Sequence, residues 1–242
     1  MAQDTKNAIA LSVVIPCYNE QKNLPGLAQR LERMSCGNVP LEIILVNNGS
    51  TDGSAKALDA IARKDRRIRI VTVEKNTGYG NGISAGLAKA RGEFLCWTHA
   101  DMQTDPQDCI RAYEIMVGQK DPRKIFVKGS RTGRPLFDQF FTIGMSAFES
   151  LLLGKVLYEI NAQPNLFHRD FLRLVPNPPK DFAFDLYFYY AAKRNGLAVV
   201  RFPVKFLQRA HGTSSWNTGL AGKAKFIRRT FEYSIKLKQR KD

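Results

Sequence analysis

Apolar residues along the chain fall into short continuous runs, separated by longer segments in which they recur with helical spacing. The runs are Leu11 to Ile15, Leu41 to Val46, Ile68 to Val73, Glu93 to Trp97 and Lys124 to Val127, each bounded by turn-forming residues. Short unbroken runs of this kind suit strands buried on both faces. The intervening segments, Asn23 to Met34, Ser54 to Arg63, Tyr79 to Arg91 and Pro106 to Val117, have the spacing of amphipathic helices. Strand and helix therefore alternate, which predicts an α/β fold: a mostly parallel, Rossmann-like sheet with helices on both faces. Beyond about residue 130 the pattern changes to a long helical stretch ending near Leu157, an irregular region from Asn161 to Lys180, a helix near Asp181 to Arg194 and a last strand, Ala198 to Phe202.

A chain of 242 residues suits one such domain better than two. The expected organisation is an N-terminal tail over 1–9, a single domain over 10–218 and a basic amphipathic helix over 219–242. The hydrophobic fraction of 44% fits a globular protein and excludes a disordered chain. Cys17, Cys36, Cys96 and Cys109 are widely spaced, with no CxxC pair, which suits reduced thiols in a cytoplasmic protein. The polar start, Met1 to Asn7, does not read as a secretory leader. The apolar stretch from Leu136 to Ile160 is interrupted by Asp138, Glu149, Lys155 and Glu159, so it reads as amphipathic and not as a membrane span.

The net charge of +15 points to an anionic partner: a polyphosphate substrate, anionic lipid or nucleic acid. Much of that charge lies near the C-terminus, where Lys223, Lys225, Arg228, Arg229, Lys236, Lys238, Arg240 and Lys241 alternate with Phe226, Ile227, Phe231, Tyr233, Ile235 and Leu237. A helix of this composition either rests on an anionic membrane surface or packs one apolar stripe on the domain and leaves the rest solvated. A peripheral position on the inner face of a membrane is therefore one expectation for the protein.

Ligands of parallel sheets bind at the carboxyl ends of the strands. Three chemically distinctive stretches fall at such ends: Pro16 to Glu20, Asn47 to Gly53 and His99 to Gln103. If the last of these is extended, His99, Asp101 and Gln103 point the same way and can converge on one cation. The same residues also read as a plain strand end, with Thr104 or Asp105 capping a helix that begins at Pro106.

In order and spacing, Val13 to Glu20, Glu42 to Gly53, Asn76 to Gly80 and Ala100 to Gln103 closely resemble the family 2 inverting glycosyltransferases, and among them the dolichol- or polyprenyl-phosphate sugar transferases. The resemblance covers about residues 10 to 135 and implies the fold called GT-A, with 10–130 as the nucleotide-sugar half and 131–218 as the acceptor half. It implies that Pro16, Tyr18 and Glu20 line the nucleoside pocket, that Asn48 meets the base, and that Gly78 lets the backbone approach the donor. Asn48 stands where the family usually has aspartate. An amide both donates and accepts, so uracil, guanine and cytosine all remain open at this point.

The resemblance further implies a divalent cation, Mn²⁺ or Mg²⁺, at Asp101, with Gln103 adding an oxygen and His99 replacing the family's first acid. Arg131, in Lys128-Gly129-Ser130-Arg131, would face the phosphates, and Arg209 and Ser214 would belong to a late loop that closes over the donor. Asp185 is the implied acceptor-side acid. The expected partners are a nucleotide-sugar donor and a polyprenyl-phosphate or glycan acceptor for envelope polysaccharide synthesis. Nucleic acid is not the expected partner. The alternatives are a nucleotidyltransferase, which wants a glycine-rich basic loop where Pro16 to Glu20 stand, and a catalytically degenerate protein that binds a sugar nucleotide or nucleic acid.

Overall fold

The computed structural model describes residues 9–35, 37–134, 136–212 and 219–240. Among them, seven strands form one sheet: β1 (Leu11–Cys17), β2 (Leu41–Asn48), β3 (Ile68–Val73), β4 (Phe94–Trp97), β5 (Ile125–Thr132), β6 (Asn165–His168) and β7 (Ala198–Lys205). The helices are α1 (Leu24–Arg33), α2 (Ser54–Lys64), α3 (Tyr79–Lys89), α4 (Gln107–Val117), α5 (Leu136–Leu153), α6 (Ala183–Arg194) and α7 (Gly219–Gln239). The strand order is β3-β2-β1-β4-β6-β5-β7. β1 pairs in parallel with both β2 and β4, and only β6 runs antiparallel to its neighbours.

The expected alternation holds in the first half because β2 is buried along its whole length and β1 along nearly all of it, leaving no polar face to break the apolar run. One core cluster packs α1, α2 and α4 against one side of the sheet, through Leu24, Leu27, Leu31, Leu58, Ile110 and Met116. The other packs α3 and α6 on the opposite side, through Ile83, Leu87, Phe184 and Phe188 around Trp97. Glu42 is a buried acid within β2, at the sheet end away from the strand carboxyl termini. It accepts from Ser12 Oγ at 2.6 Å, Arg91 N at 2.6 Å and Arg69 Nη1 at 2.8 Å. Burial alone would raise its pKa, but these donors outweigh burial and hold it below the ordinary value.

The second half departs from the expectation. The region from Asn161 to Lys180 is not irregular throughout: Asn165–His168 inserts as β6 between β4 and β5. At four residues the segment is too short to carry a periodic signal. β5 and β7 also run several residues past their apolar portions, taking Lys128 and Arg131 into the sheet. β7 tolerates Pro203 because it is an edge strand, where a missing N–H breaks no ladder. Among the described residues no helix is long and apolar enough to cross a membrane, and Cys17, Cys96 and Cys109 are free and buried; Cys36 lies outside the described residues.

Candidate active site

The chain proceeds outward from β1 to β2 and β3, then returns to place β4 on the other side of β1. The loops after β1 and β4 therefore diverge and open a crevice at their carboxyl ends, where this class of sheet binds ligands. The loop after β1 is tied to the loop after β2. Asn19 N donates to Ser50 Oγ at 3.2 Å, Thr51 N to Asn19 Oδ1 at 2.9 Å, and Glu20 N to Ser54 Oγ at 2.9 Å. This lacing fixes Pro16, Tyr18 and Glu20 along one wall, with the Tyr18 side chain 45% exposed.

Glu20 and Asp101 meet across the crevice on one guanidinium nitrogen. Arg209 Nη2 lies 3.2 Å from Glu20 Oε1 and 3.3 Å from Asp101 Oδ2. Glu20 also accepts from Asn23 Nδ2 at 2.5 Å, and Asn23 reaches His211 O at 3.3 Å, which anchors the late loop to the wall. Burial raises the pKa of Glu20, with Asp101 adding to the rise and Asn23 and Arg209 opposing it. Two carboxylates drawn together on one cation form a site for positive charge.

The segment from His99 to Gln103 is not the extended strand end that alternation requires. β4 stops at Trp97, the chain bends from Ala100 to Thr104, and Met102 adopts φ 67°. Alternation therefore does not bring His99, Asp101 and Gln103 together. Asp101 is buried and accepts from Gln103 N at 3.1 Å through Oδ1. The Gln103 amide donates to Leu207 O at 3.3 Å, and His99 stacks on Tyr79 with ring centroids 5.7 Å apart. Among the described residues no three His, Cys, Asp or Glu side chains form a ready cage for a metal. What remains is an electronegative notch at Asp101 and Glu20, of the kind in which Mg²⁺ or Mn²⁺ is held by one or two carboxylates and completed by substrate phosphates.

Asn48 is 3% exposed at the end of β2. Its Nδ2 donates to Gly78 O at 2.9 Å, which leaves Oδ1 as a buried acceptor with no partner among the described residues. Gly78 has φ 134°, and a side chain there would strike the Lys180 carbonyl, so the approach of Gly78 to Asn48 depends on glycine.

The remaining two residues lie deeper on the β5–β6 side. Arg131 Nε is 2.5 Å from Glu159 Oε2, and Arg134 Nη1 is 3.1 Å from Glu159 Oε1, so two guanidiniums share one buried carboxylate. Asp185 is only 4% exposed and accepts from Trp97 Nε1 and Asn165 Nδ2, both at 3.1 Å. Asn165 Oδ1 in turn accepts from the fully buried Lys128 Nζ at 2.7 Å, which also donates to Ala162 O at 2.7 Å. Burial pushes Lys128 down to about 7, opposed by Asp185, and raises Asp185, opposed by Lys128. Ser214 lies outside the described residues.

Sequence reasoning did not single out Tyr79, Gln163 and Lys128. Tyr79 stacks between His99 and Phe182, and its hydroxyl accepts from Gln163 Nε2. Their contacts join positions from twenty to about a hundred residues apart, and no local spacing announces them.

The fold has counterparts among known proteins. The chain superposes on glucosyl-3-phosphoglycerate synthase from Mycobacterium tuberculosis, solved with Mn²⁺, uridine diphosphate and glucosyl-3-phosphoglycerate, with a TM-score of 0.73 over 96% of this chain and 81% of that one, at 20% identity. It also superposes on a mannosyltransferase from Pyrobaculum calidifontis, solved with GDP-Man and Mn²⁺, with a TM-score of 0.70 over 96% of this chain and 65% of the other, at 18% identity. Both comparisons show that the chain has the GT-A fold. Among curated proteins it is similar to undecaprenyl-phosphate 4-deoxy-4-formamido-L-arabinose transferases. It is 38% identical to that of Pectobacterium carotovorum over 117 residues and 40% identical to that of Pseudomonas paraeruginosa over 108. Those matches cover 47% and 43% of this chain but only 35% and 31% of the relatives' own lengths. The family model described as glycosyl transferase family 2 matches residues 12–157, a span that contains the Glu20, Asn48 and Asp101 positions just described. With more than half of its length under that match and a GT-A sheet beneath it, the chain belongs to glycosyl transferase family 2.

Proposed function

We propose that the protein is an inverting glycosyltransferase that moves a sugar from a nucleoside diphosphate to a polyprenyl phosphate. The observation that carries this reading is the meeting of Glu20 and Asp101 on Arg209 at the switch point of the sheet. That is where a pyrophosphate and its cation are best received. Asp101 would hold Mn²⁺ or Mg²⁺, with Glu20, His99 and Gln103 around it. When bound, the cation supplies charge neutralisation for the departing diphosphate.

The residues of this chain account for the rest of the chemistry. Tyr18, half exposed on the wall, offers a ring face to a base. Asn48 is oriented by Gly78 and keeps Oδ1 as a buried acceptor, which supports a base that presents an N–H donor to it. Arg209, which lies in the crevice between the two carboxylates, would offer its guanidinium to the diphosphate oxygens. Arg131, beside Arg134 on Glu159, offers a guanidinium suited to a second phosphate. Pre-set charges of this kind stabilise the leaving group as its charge develops.

The acceptor class follows from Asp185. A sugar hydroxyl needs a base at its oxygen, and Asp185 is enclosed by Trp97 and Asn165. A phosphate oxygen is already ionised and needs none, so the enclosure supports the lipid phosphate over a glycan. Asp185 then positions the Trp97 and Asn165 side chains beneath the site. We take the protein to work as a peripheral protein on the cytoplasmic face of a membrane, supported by its basic C-terminal helix and by this acceptor class.

The test is incubation with labelled UDP- and GDP-sugars, Mn²⁺ and undecaprenyl phosphate in detergent, followed by solvent extraction. A lipid-linked sugar of inverted anomeric configuration is expected. Label that never enters the organic phase with any donor, or retained configuration, overturns the proposal.

A further inference from the structure

Several described side chains of α5 reverse the usual arrangement. A helix on a water-soluble domain normally buries its apolar stripe and exposes its polar one. Here Ser146 and Glu149 face inward, fully or nearly buried, while Phe140, Ile143, Phe148 and Leu151 form one stripe on the outer face at 71%, 49%, 36% and 86% exposure. The stripe continues past the helix in Val156, 80% exposed. It is widened by α7, whose Phe231 stacks on Phe148 with centroids 5.5 Å apart and is itself 43% exposed. These side chains are exposed, and a contiguous apolar surface of this kind marks an interaction site.

Beside it, the outer side of α7 carries four exposed cations, Arg228, Arg229, Lys236 and Lys238, against one exposed carboxylate, Glu232. Exposed apolar side chains flanked by cations suit the headgroup boundary of an anionic bilayer, where the rings and aliphatic chains enter the acyl edge and the cations meet lipid phosphates. A second copy of this chain fits less well. Each copy carries a net charge of +15, and face-to-face pairing would bring two basic helices together.

We infer that the outer face of the α5–α7 pair is a docking surface for anionic phospholipid. This rests on the membrane-contact reading above and names the surface that makes the contact. The segment after α5 leads through Val156 directly to Glu159, the carboxylate held by Arg131 and Arg134, so docking here sets the acceptor side of the crevice next to the lipid.

The test is co-sedimentation of the full chain with vesicles of phosphatidylcholine, with and without phosphatidylglycerol. The protein should sediment with the mixed vesicles and stay in solution with phosphatidylcholine alone. Phe140→Ser and Leu151→Ser should each lower binding by about tenfold, and Lys236→Glu with Lys238→Glu should lower it further and remove its salt dependence. All four side chains are exposed, so the melting temperature should not move. Absence of vesicle binding, or variants that bind as the unaltered chain does, overturns the inference. A dimer seen by light scattering that Leu151→Ser dissociates overturns it in favour of a second copy. Mn²⁺-dependent donor binding, measured without vesicles, keeps the two readings apart: it should be the same in every variant, and its loss throughout would count against the transferase alone.

Discussion

Replacing Asp185 separates the two roles that a carboxylate in this family can have. Its oxygen accepts from Trp97 Nε1 and Asn165 Nδ2 at 3.1 Å each, and Asn165 links it to the buried ammonium of Lys128. Asp185→Ala strips two donors of their acceptor and removes the counter-charge of Lys128. Each orphaned donor costs about 1–3 kcal/mol and an uncompensated buried charge about 3–5 kcal/mol. These losses overlap, because Lys128 can shed its proton when Asp185 is gone, so the net should be roughly 3–5 kcal/mol. For a chain of this length that is a fall in melting temperature of about 10 °C. Asp185→Asn keeps an oxygen toward Trp97 and the same volume, and should cost roughly 1–2 kcal/mol. The assay is thermal unfolding followed by circular dichroism, paired with transfer to undecaprenyl phosphate under conditions where both variants are folded. If Asp185 acts by positioning, the Asn variant should retain most of its turnover. An Ala variant that melts within about 2 °C of the parent refutes the enclosure argument. An Asn variant that is stable but inactive refutes the assignment of Asp185 as a positioning residue.

Glu149 is buried between α5 and α7, and burial, opposed by Ser234, raises its pKa to about 7 from an ordinary 4.5. The folded state therefore favours the protonated acid, so its contribution to stability is fully present below the ordinary value and lost as pH rises through about 7. The stability of Glu149→Gln minus that of the parent should rise by roughly 2–3 kcal/mol between about pH 5 and pH 8, the lower figure allowing for solvent screening. Urea titrations at both pH values check this, and a pH-independent difference would contradict it. Asn48→Ala should weaken UDP- or GDP-sugar binding by about tenfold while leaving Mn²⁺ affinity alone, as read by calorimetry; unchanged donor affinity would remove Asn48 from the base site. Gly129→Ala would push a methyl group into the Gln163 carbonyl, next to the Gly129 N to Pro164 O bond of 2.9 Å. It should lower the melting temperature by several degrees, and a silent substitution would show that β5 and the turn before β6 can part freely.

The first half of the fold was legible because its strands are apolar on both faces, so β1 and β2 appear as unbroken runs. β6 was not: it contributes only Asn165 to His168, and two of its four residues are polar because they serve the Lys128 network and a bond from the Asp170 amide. Glu20 and Asp101 were read from their motifs, but their joint hold on Arg209 depends on a loop more than a hundred residues away. The expectation of an extended segment from His99 to Gln103 did not hold, because Met102 turns left-handed. Asp185 was read as the implied acceptor-side acid, and sequence could not show that Trp97 would cover it. Burial of one side chain by another on a distant strand leaves no local spacing to read.

The central claim is that the crevice between β1 and β4 receives a diphosphate and its cation through Asp101. Isothermal titration of the full chain with UDP- and GDP-sugars, with and without Mn²⁺, tests it most directly, alongside Asp101→Ala. At least one donor should bind in a manner that requires Mn²⁺. The substitution should weaken that binding by about thirtyfold or more, as expected for the loss of a charged ligand worth roughly 2 kcal/mol, at a temperature where the variant remains folded. Donor binding that ignores Mn²⁺, or survives the loss of Asp101 intact, would contradict the account.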